Sequence, residues 1–115
     1  MDKEKSPAFR CYAADFYMDT LTWDTDDIGV YFRLLMCSWV NGPLPPDLCD
    51  LAKIAGKTKQ KFKKNWSKIS QKFMLDGNGN LINQRLEKER KKQLNYREQQ
   101  RIYGKDGANK RWGSP

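Results

Sequence analysis

The sequence predicts a mainly α-helical fold with one small β-hairpin: a winged helix-turn-helix followed by a projecting C-terminal helix. Three observations predict it. A long helical pattern at 26–40 is apolar over most of its circumference, as befits a helix central to a core. Two shorter helical patterns then meet across a tight turn at Gly56-Lys57, the helix-turn-helix arrangement. Directly after them, Asp-Gly-Asn-Gly at 76–79 separates two short apolar runs. Asp-Gly and Asn-Gly supply the positive φ angles that tight hairpins need, and a hairpin in that position is a wing. The implied organisation is a winged-helix domain at 1–83, a basic helix at 84–103 and a flexible basic tail at 104–115.

The elements follow in order. Residues 8–17, AFRCYAADFY, alternate at Phe9, Cys11 and Ala13 and read as a short strand or extended lead-in. Residues 20–25 read as a turn ending in a helix cap, with Asp24 and Thr25 as acceptors for backbone N–H groups and Asp26 and Asp27 at the positive helix end. In the long helix, Ile28, Phe32, Leu35 and Trp39 form one stripe, flanked by Tyr31, Leu34 and Met36. Asn41-Gly42-Pro43 ends it, because glycine suits the left-handed cap and proline cannot continue the helix. NGPLPPD at 41–47 is an extended connector whose last residue, Asp47, caps a second helix over Leu48–Ala55. Gly56 stops that helix, and Thr58 caps a third reaching about Gln71. From Asn83 to Tyr103 the residues favour helix but show no continuous apolar stripe, with Leu86, Leu94 and Ile102 scattered among charges.

Composition narrows the function classes. The 115 residues suit one domain. There is no histidine, and the three cysteines, Cys11, Cys37 and Cys49, form no CxxC pair. Zinc ligation, histidine acid–base chemistry and a disulfide framework are all disfavoured. The cysteines read as small buried hydrophobes in a reducing compartment. The charged start MDKEKSPAF lacks an apolar core, and no run approaches the ~20 apolar residues that cross a bilayer. The expectation is a soluble cytoplasmic protein with no membrane contact and no cofactor. Asp15, Asp19, Asp24, Asp26 and Asp27 do not make a metal nuclease, since cap and turn duty accounts for three of them and no nucleophile–base pair or phosphate cradle accompanies them. The chain does not read as an enzyme.

The net charge of +8 is unevenly distributed. Residues 1–52 carry four Lys/Arg against nine Asp/Glu, whereas 53–72 carry eight lysines and no acid, and 84–115 carry ten bases against four acids. A basic segment and tail on an acidic body point to a polyanionic partner. On the third helix, Phe62, Trp66, Ile69 and Phe73 fall on one side and Lys61, Lys64, Lys68 and Lys72 on the other, joined by Gln60 and Gln71. Such a row neutralises phosphates along a groove, while Gln and Asn65 side chains have the donors and acceptors to read base edges. The candidate nucleic-acid-binding residues are therefore Lys57, Lys59, Gln60, Lys61, Lys64, Asn65, Lys68, Gln71 and Lys72, with Arg85 and Lys88 of the next helix on flanking backbone. The alternative is an ordinary solvated helix face. No arginine occurs in this helix, and arginine makes the commonest bidentate contact to guanine, so binding to double-stranded DNA is expected to be weakly sequence-specific. Asp76 opposes deep insertion of the wing, whose turn residues are better explained by their φ angles. Lys105 and GANKRW at 107–112 read as a flexible basic arm, with Trp112 free to stack on a base or dock on a partner, or as simple disorder.

Taken together, AFRCYAADFYMDT (8–20), GVYFRLLMCSW (29–39), NGPLPPD, LAKIAG (51–56), FMLDGNGNL (73–81), LINQRLEKER (81–90) and GANKRW resemble the YdaU-like family, domains of unknown function found largely in bacterial phage and prophage proteins. The resemblance spans about residues 7–112 and rests on the order of these segments rather than on any one motif. It implies a winged-helix-like domain of the kind that fronts longer phage replication proteins, similar to replisome organisers and helicase loaders. Phe16 stands where the family pattern has tryptophan, and the given sequence stops soon after GANKRW where the family pattern continues, so a helicase-loading role is not the expectation here. The family brings no catalytic residues. The leading expectation is a phage- or prophage-derived DNA-binding protein in replication or its control. The rival is a non-enzymatic adapter that docks a replication protein through the projecting helix. Pairing into a homodimer stays open, although the missing heptad argues against a coiled coil.

Overall fold

The computed structural model describes residues 7–112, with side chains described through Tyr103. It is mainly helical, with one two-stranded antiparallel sheet. Five α-helices are α1 (Ala13–Asp19), α2 (Thr25–Asn41), α3 (Leu48–Ala55), α4 (Lys59–Ile69) and α5 (Gln84–Trp112); the strands are β1 (Met74–Leu75) and β2 (Leu81–Ile82).

The first departure from the sequence expectation is α1, a helix where alternation suggests a strand. None of its residues is buried, so no helical stripe was there to be seen. Its apolar anchor is one ring: Phe16 stacks on Tyr31 at 5.7 Å and meets Phe32 edge-on at 5.5 Å. Thr20 closes it by donating its hydroxyl to the Phe16 carbonyl at 2.9 Å. Upstream, Phe9 packs on Phe32 and Trp39, with ring centroids 6.3 and 5.6 Å apart.

Helix α2 is the hub. Val30, Tyr31, Leu34, Leu35 and Trp39 are buried in the main core, while Phe32 lies between that core and the lead-in. Met36, expected to flank the apolar stripe, is exposed. Asp24 and Asp27 form a reciprocal capping box: the Asp27 amide donates to Asp24 at 2.8 Å and the Asp24 amide to Asp27 at 3.3 Å. Gly42, at φ +91°, ends the helix.

Asp47 caps α3 by accepting from the amides of Cys49 and Asp50. Gly56 terminates it in the left-handed region at φ +74°. A Cβ there would meet the Arg33 guanidinium at 3.3 Å, so glycine also admits that side chain. The hydroxyl of Thr58 then caps α4 by accepting from the Lys61 amide. Helix α4 is shorter than expected, because residues Ser70–Lys72 tighten into a 3-10 turn. Leu51, Ala52 and Ala55 of α3 and Phe62 and Ile69 of α4 bury against α2, with Trp66 half-buried.

The hairpin pairs Met74 with Ile82 and Leu75 with Leu81. Asp76 builds its turn, accepting from the amides of Asn78 and Asn80 at 2.8 and 2.9 Å. The connector after α2 joins this sheet, because Leu44 and Leu81 exchange both backbone hydrogen bonds at 2.8 Å. That pairing anchors the hairpin to the body through a fully buried leucine.

Asn83 fixes where α5 departs. Its amide donates to the Tyr31 hydroxyl at 3.0 Å and to the Lys72 carbonyl at 2.9 Å, while its oxygen accepts from the Leu86 amide at 2.9 Å. Burial pushes the Tyr31 phenol up, with the Asn83 bond opposing. Leu86 is buried, and Arg90 lays its guanidinium 4.8 Å from the Trp39 ring centroid and donates to the Ser38 carbonyl at 3.0 Å. Beyond there α5 projects, giving the molecule extents of 70 × 31 × 22 Å. Helical backbone continues past Tyr103, where the sequence reading ends the helix, as far as Trp112. The side-chain roles suggested for Lys105 and Trp112, and residues 113–115 of the suggested tail, lie outside the described residues.

Candidate nucleic-acid interface

Helix α4 turns Phe62, Asn65 and Ile69 inward. With ~100° per residue, the centre of the opposite face falls on Gln60, Lys64, Ser67 and Gln71, flanked by Lys63 on one side and by Lys61 and Lys68 on the other. All seven are exposed, as is Lys59 in the first turn. Lys63 and Ser67 were absent from the candidate set, although the helical period alone brings them to this face.

The structure divides the predicted residues into three groups. Lys59, Gln60, Lys61 and Lys64 lie on the exposed face, and none of the three lysines has an ion pair among the described residues. Lys57, Asn65 and Lys68 are instead bound to the first turn of α2. The Lys57 ammonium contacts both Asp26 oxygens, at 2.6 and 2.8 Å. The Asn65 amide donates to Asp26 at 3.0 Å and to Asp27 at 2.8 Å. The Lys68 ammonium reaches Asp27 at 3.1 Å, though nearly half of its side chain stays exposed.

Asn65 is therefore no reader of base edges. It is buried, and both amide hydrogens are committed to carboxylates. The hydrogen bonds from Lys57 and Asn65 hold the Asp26 carboxyl below its usual value. Burial works to raise Asp27, but bonds from Asn65, Lys68 and the Asp24 backbone outweigh it and hold that carboxyl below its usual value too. The lysine segment has no acid of its own; its compensating charge arrives from a helix more than thirty residues upstream.

The third group gathers beside the end of α4. Gln71, Lys72, Arg85 and Lys88 line a polar groove of about 290 Å³ between the 3-10 turn and the start of α5. Asp19 stands in the same groove and pairs with Arg85 at 2.6 Å. Gln71 donates to the Lys68 carbonyl at 2.9 Å, whereas Lys72 and Lys88 have no ion pair among the described residues. The predicted set thus forms an open lysine face, a neutralised seam and a basic groove.

One further expectation changes and another is kept. Cys11 and Cys49 are exposed rather than buried, and Cys37 is half-buried. The Asp76 carboxylate folds into its own turn, which agrees with a conformational role for that loop. Among the described residues no group of His, Cys, Asp and Glu is arranged to hold a metal ion, and no helix is long and apolar enough to cross a membrane.

No curated protein and no solved structure matches this chain. One family does, over residues 7–90, a span running from the lead-in through the hairpin to the Arg90 contact on Trp39. By that match the chain belongs to the family described as Protein of unknown function (DUF1376).

Proposed function

We propose that this protein is a winged-helix DNA-binding module that holds double-stranded DNA by its phosphates through the outer face of α4. The carrying observation is the separation of the two sides of α4. Phe62 and Ile69 are fully buried, while Lys59, Lys61, Lys63 and Lys64 stand exposed without an ion pair among the described residues. A helix reached through a tight turn from its predecessor and followed at once by a hairpin has the order of a recognition helix and wing. The groove at Lys72, Arg85 and Lys88 supplies a second set of cations for flanking backbone. Lysine without arginine favours phosphate contact over base discrimination. The resemblance to YdaU-like domains supports a setting in phage or prophage DNA replication or its control.

Four phosphate-facing lysines give a slope of log K against log salt of about −4. Titration of duplex DNA at several salt concentrations measures it, and the Lys61→Glu/Lys64→Glu variant reduces its magnitude by about 2. Duplex binding indifferent to that double substitution overturns the reading. The rival, an adapter that docks a protein through α5, predicts negligible duplex affinity at every salt concentration.

A further inference from the structure

A second groove, of about 600 Å³, lies between the lead-in and α5 and shares no lining residue with α4. Its size falls in the ~300–1,000 Å³ range of small-molecule sites. Its floor is unusual. Glu89 is only 5 % exposed, and burial of a carboxylate is costly without partners. The single bond it receives among the described residues comes from Gln93, at 3.0 Å to Oε1. The same Gln93 nitrogen donates to the Ala8 carbonyl at 3.0 Å, so both its amide hydrogens are used. Glu89 Oε2 and Gln93 Oε1 remain as acceptors with no bond among the described residues. Around this acceptor floor stand Arg10, Lys92 and Arg97, with Tyr96 forming an aromatic wall that is 63 % exposed. Tyr103, 68 % exposed, follows two turns later on the same face, ~10.5 Å along the axis.

Acceptors below, cations around and an accessible ring beside them match one chemistry: a base that offers donors, on a strand that carries phosphate. An acidic peptide would set its carboxylates against Glu89, and a basic one would face three cations. Stacking on tyrosine needs a base face that duplex stacking covers, and the amino edge is one that pairing occupies, so the strand must be single. We propose that this groove binds single-stranded nucleic acid, with an unpaired base on Tyr96, its amino edge on Glu89 and Gln93, and its phosphate near Arg10 and Lys92. Cytosine presents an N4 amino donor that suits a carboxylate, whereas thymine presents oxygen acceptors flanking a single imide N–H. The site prefers amino-bearing bases.

The test is fluorescence anisotropy of labelled oligo(dC), oligo(dT) and a duplex with the full chain at one salt concentration. Oligo(dC) binds more tightly than oligo(dT). Tyr96→Ala, which removes no charge and an exposed ring, weakens oligo(dC) by about fivefold to a hundredfold and leaves the duplex unchanged. Glu89→Gln abolishes the preference for oligo(dC). The Lys61→Glu/Lys64→Glu variant reports separately on the duplex face, so either reading can fail alone. Equal wild-type binding of the two single strands, absence of single-strand binding, or unaltered oligo(dC) affinity in Tyr96→Ala overturns the proposal.

Discussion

Helices α4 and α5 are both strongly basic, yet their charges are organised in opposite ways. In α4 the apolar and cationic residues are segregated: Phe62 and Ile69 reach full burial, and lysines crowd the other side. In α5 bases alternate with acids and aromatics, and after Arg90 the exposed side chains include Leu94, Tyr96, Ile102 and Tyr103. The first helix is held by the core and offers little but charge. The second leaves the core early and offers rings, amides and carboxylates along with charge. Net charge alone does not distinguish the two helices; the proposed duplex-backbone surface and the proposed single-strand platform differ in how that charge is patterned.

Substitutions that attack the core side of α4 should have the largest effect. Phe62→Ala is expected to cost about 3–5 kcal/mol, read as a lowered denaturation midpoint with unchanged slope. Asn83→Ala, at the junction between the helices, leaves the Tyr31 hydroxyl, the Lys72 carbonyl and the Leu86 amide without their partner. It is expected to cost about 2–3 kcal/mol by urea denaturation. The seam between α2 and α4 gives a pH signature. Asp26 and Asp27 are held below their ordinary value of 3.8, so the stability they contribute is fully present above that value and is lost as pH falls through their depressed values. Denaturation at pH values spanning that window should show the loss, and Asp27→Asn should shrink it. At the small end, Leu94→Ala on the exposed part of α5 should stay within about 0.5 kcal/mol of the parent. A larger cost there would mean that α5 is covered, and the contrast between the helices would fall.

Much of this architecture was legible in local sequence. Asp24, Asp47 and Thr58 are side-chain caps, Gly42 and Gly56 are stops, and the Asp76 turn makes its hairpin, because each acts within a few residues of itself. What escaped depends on distant partners. Asn65 looks like a polar surface residue until Asp26 and Asp27 arrive from α2. Lys57 and Lys68 look like free charges for the same reason. Helix α1 escaped differently: its one apolar anchor is the half-buried ring of Phe16, helped by the distant Asp19–Arg85 pair, and one ring makes no periodicity. Lys63 depends on no distant partner: the period of α4 alone carries it to the flank of the outer face.

The Asp27 carboxylate completes the cap of its own helix and, with the same two oxygens, receives Asn65 and Lys68 from α4. Fraying the first turn of α2 therefore also strips α4 of these bonds. Amide hydrogens in the two segments should exchange with a shared opening free energy, one cooperative unit rather than two. The face that carries the lysines is then steadied from two sides, by the core beneath it and by a helix terminus that bears none of them.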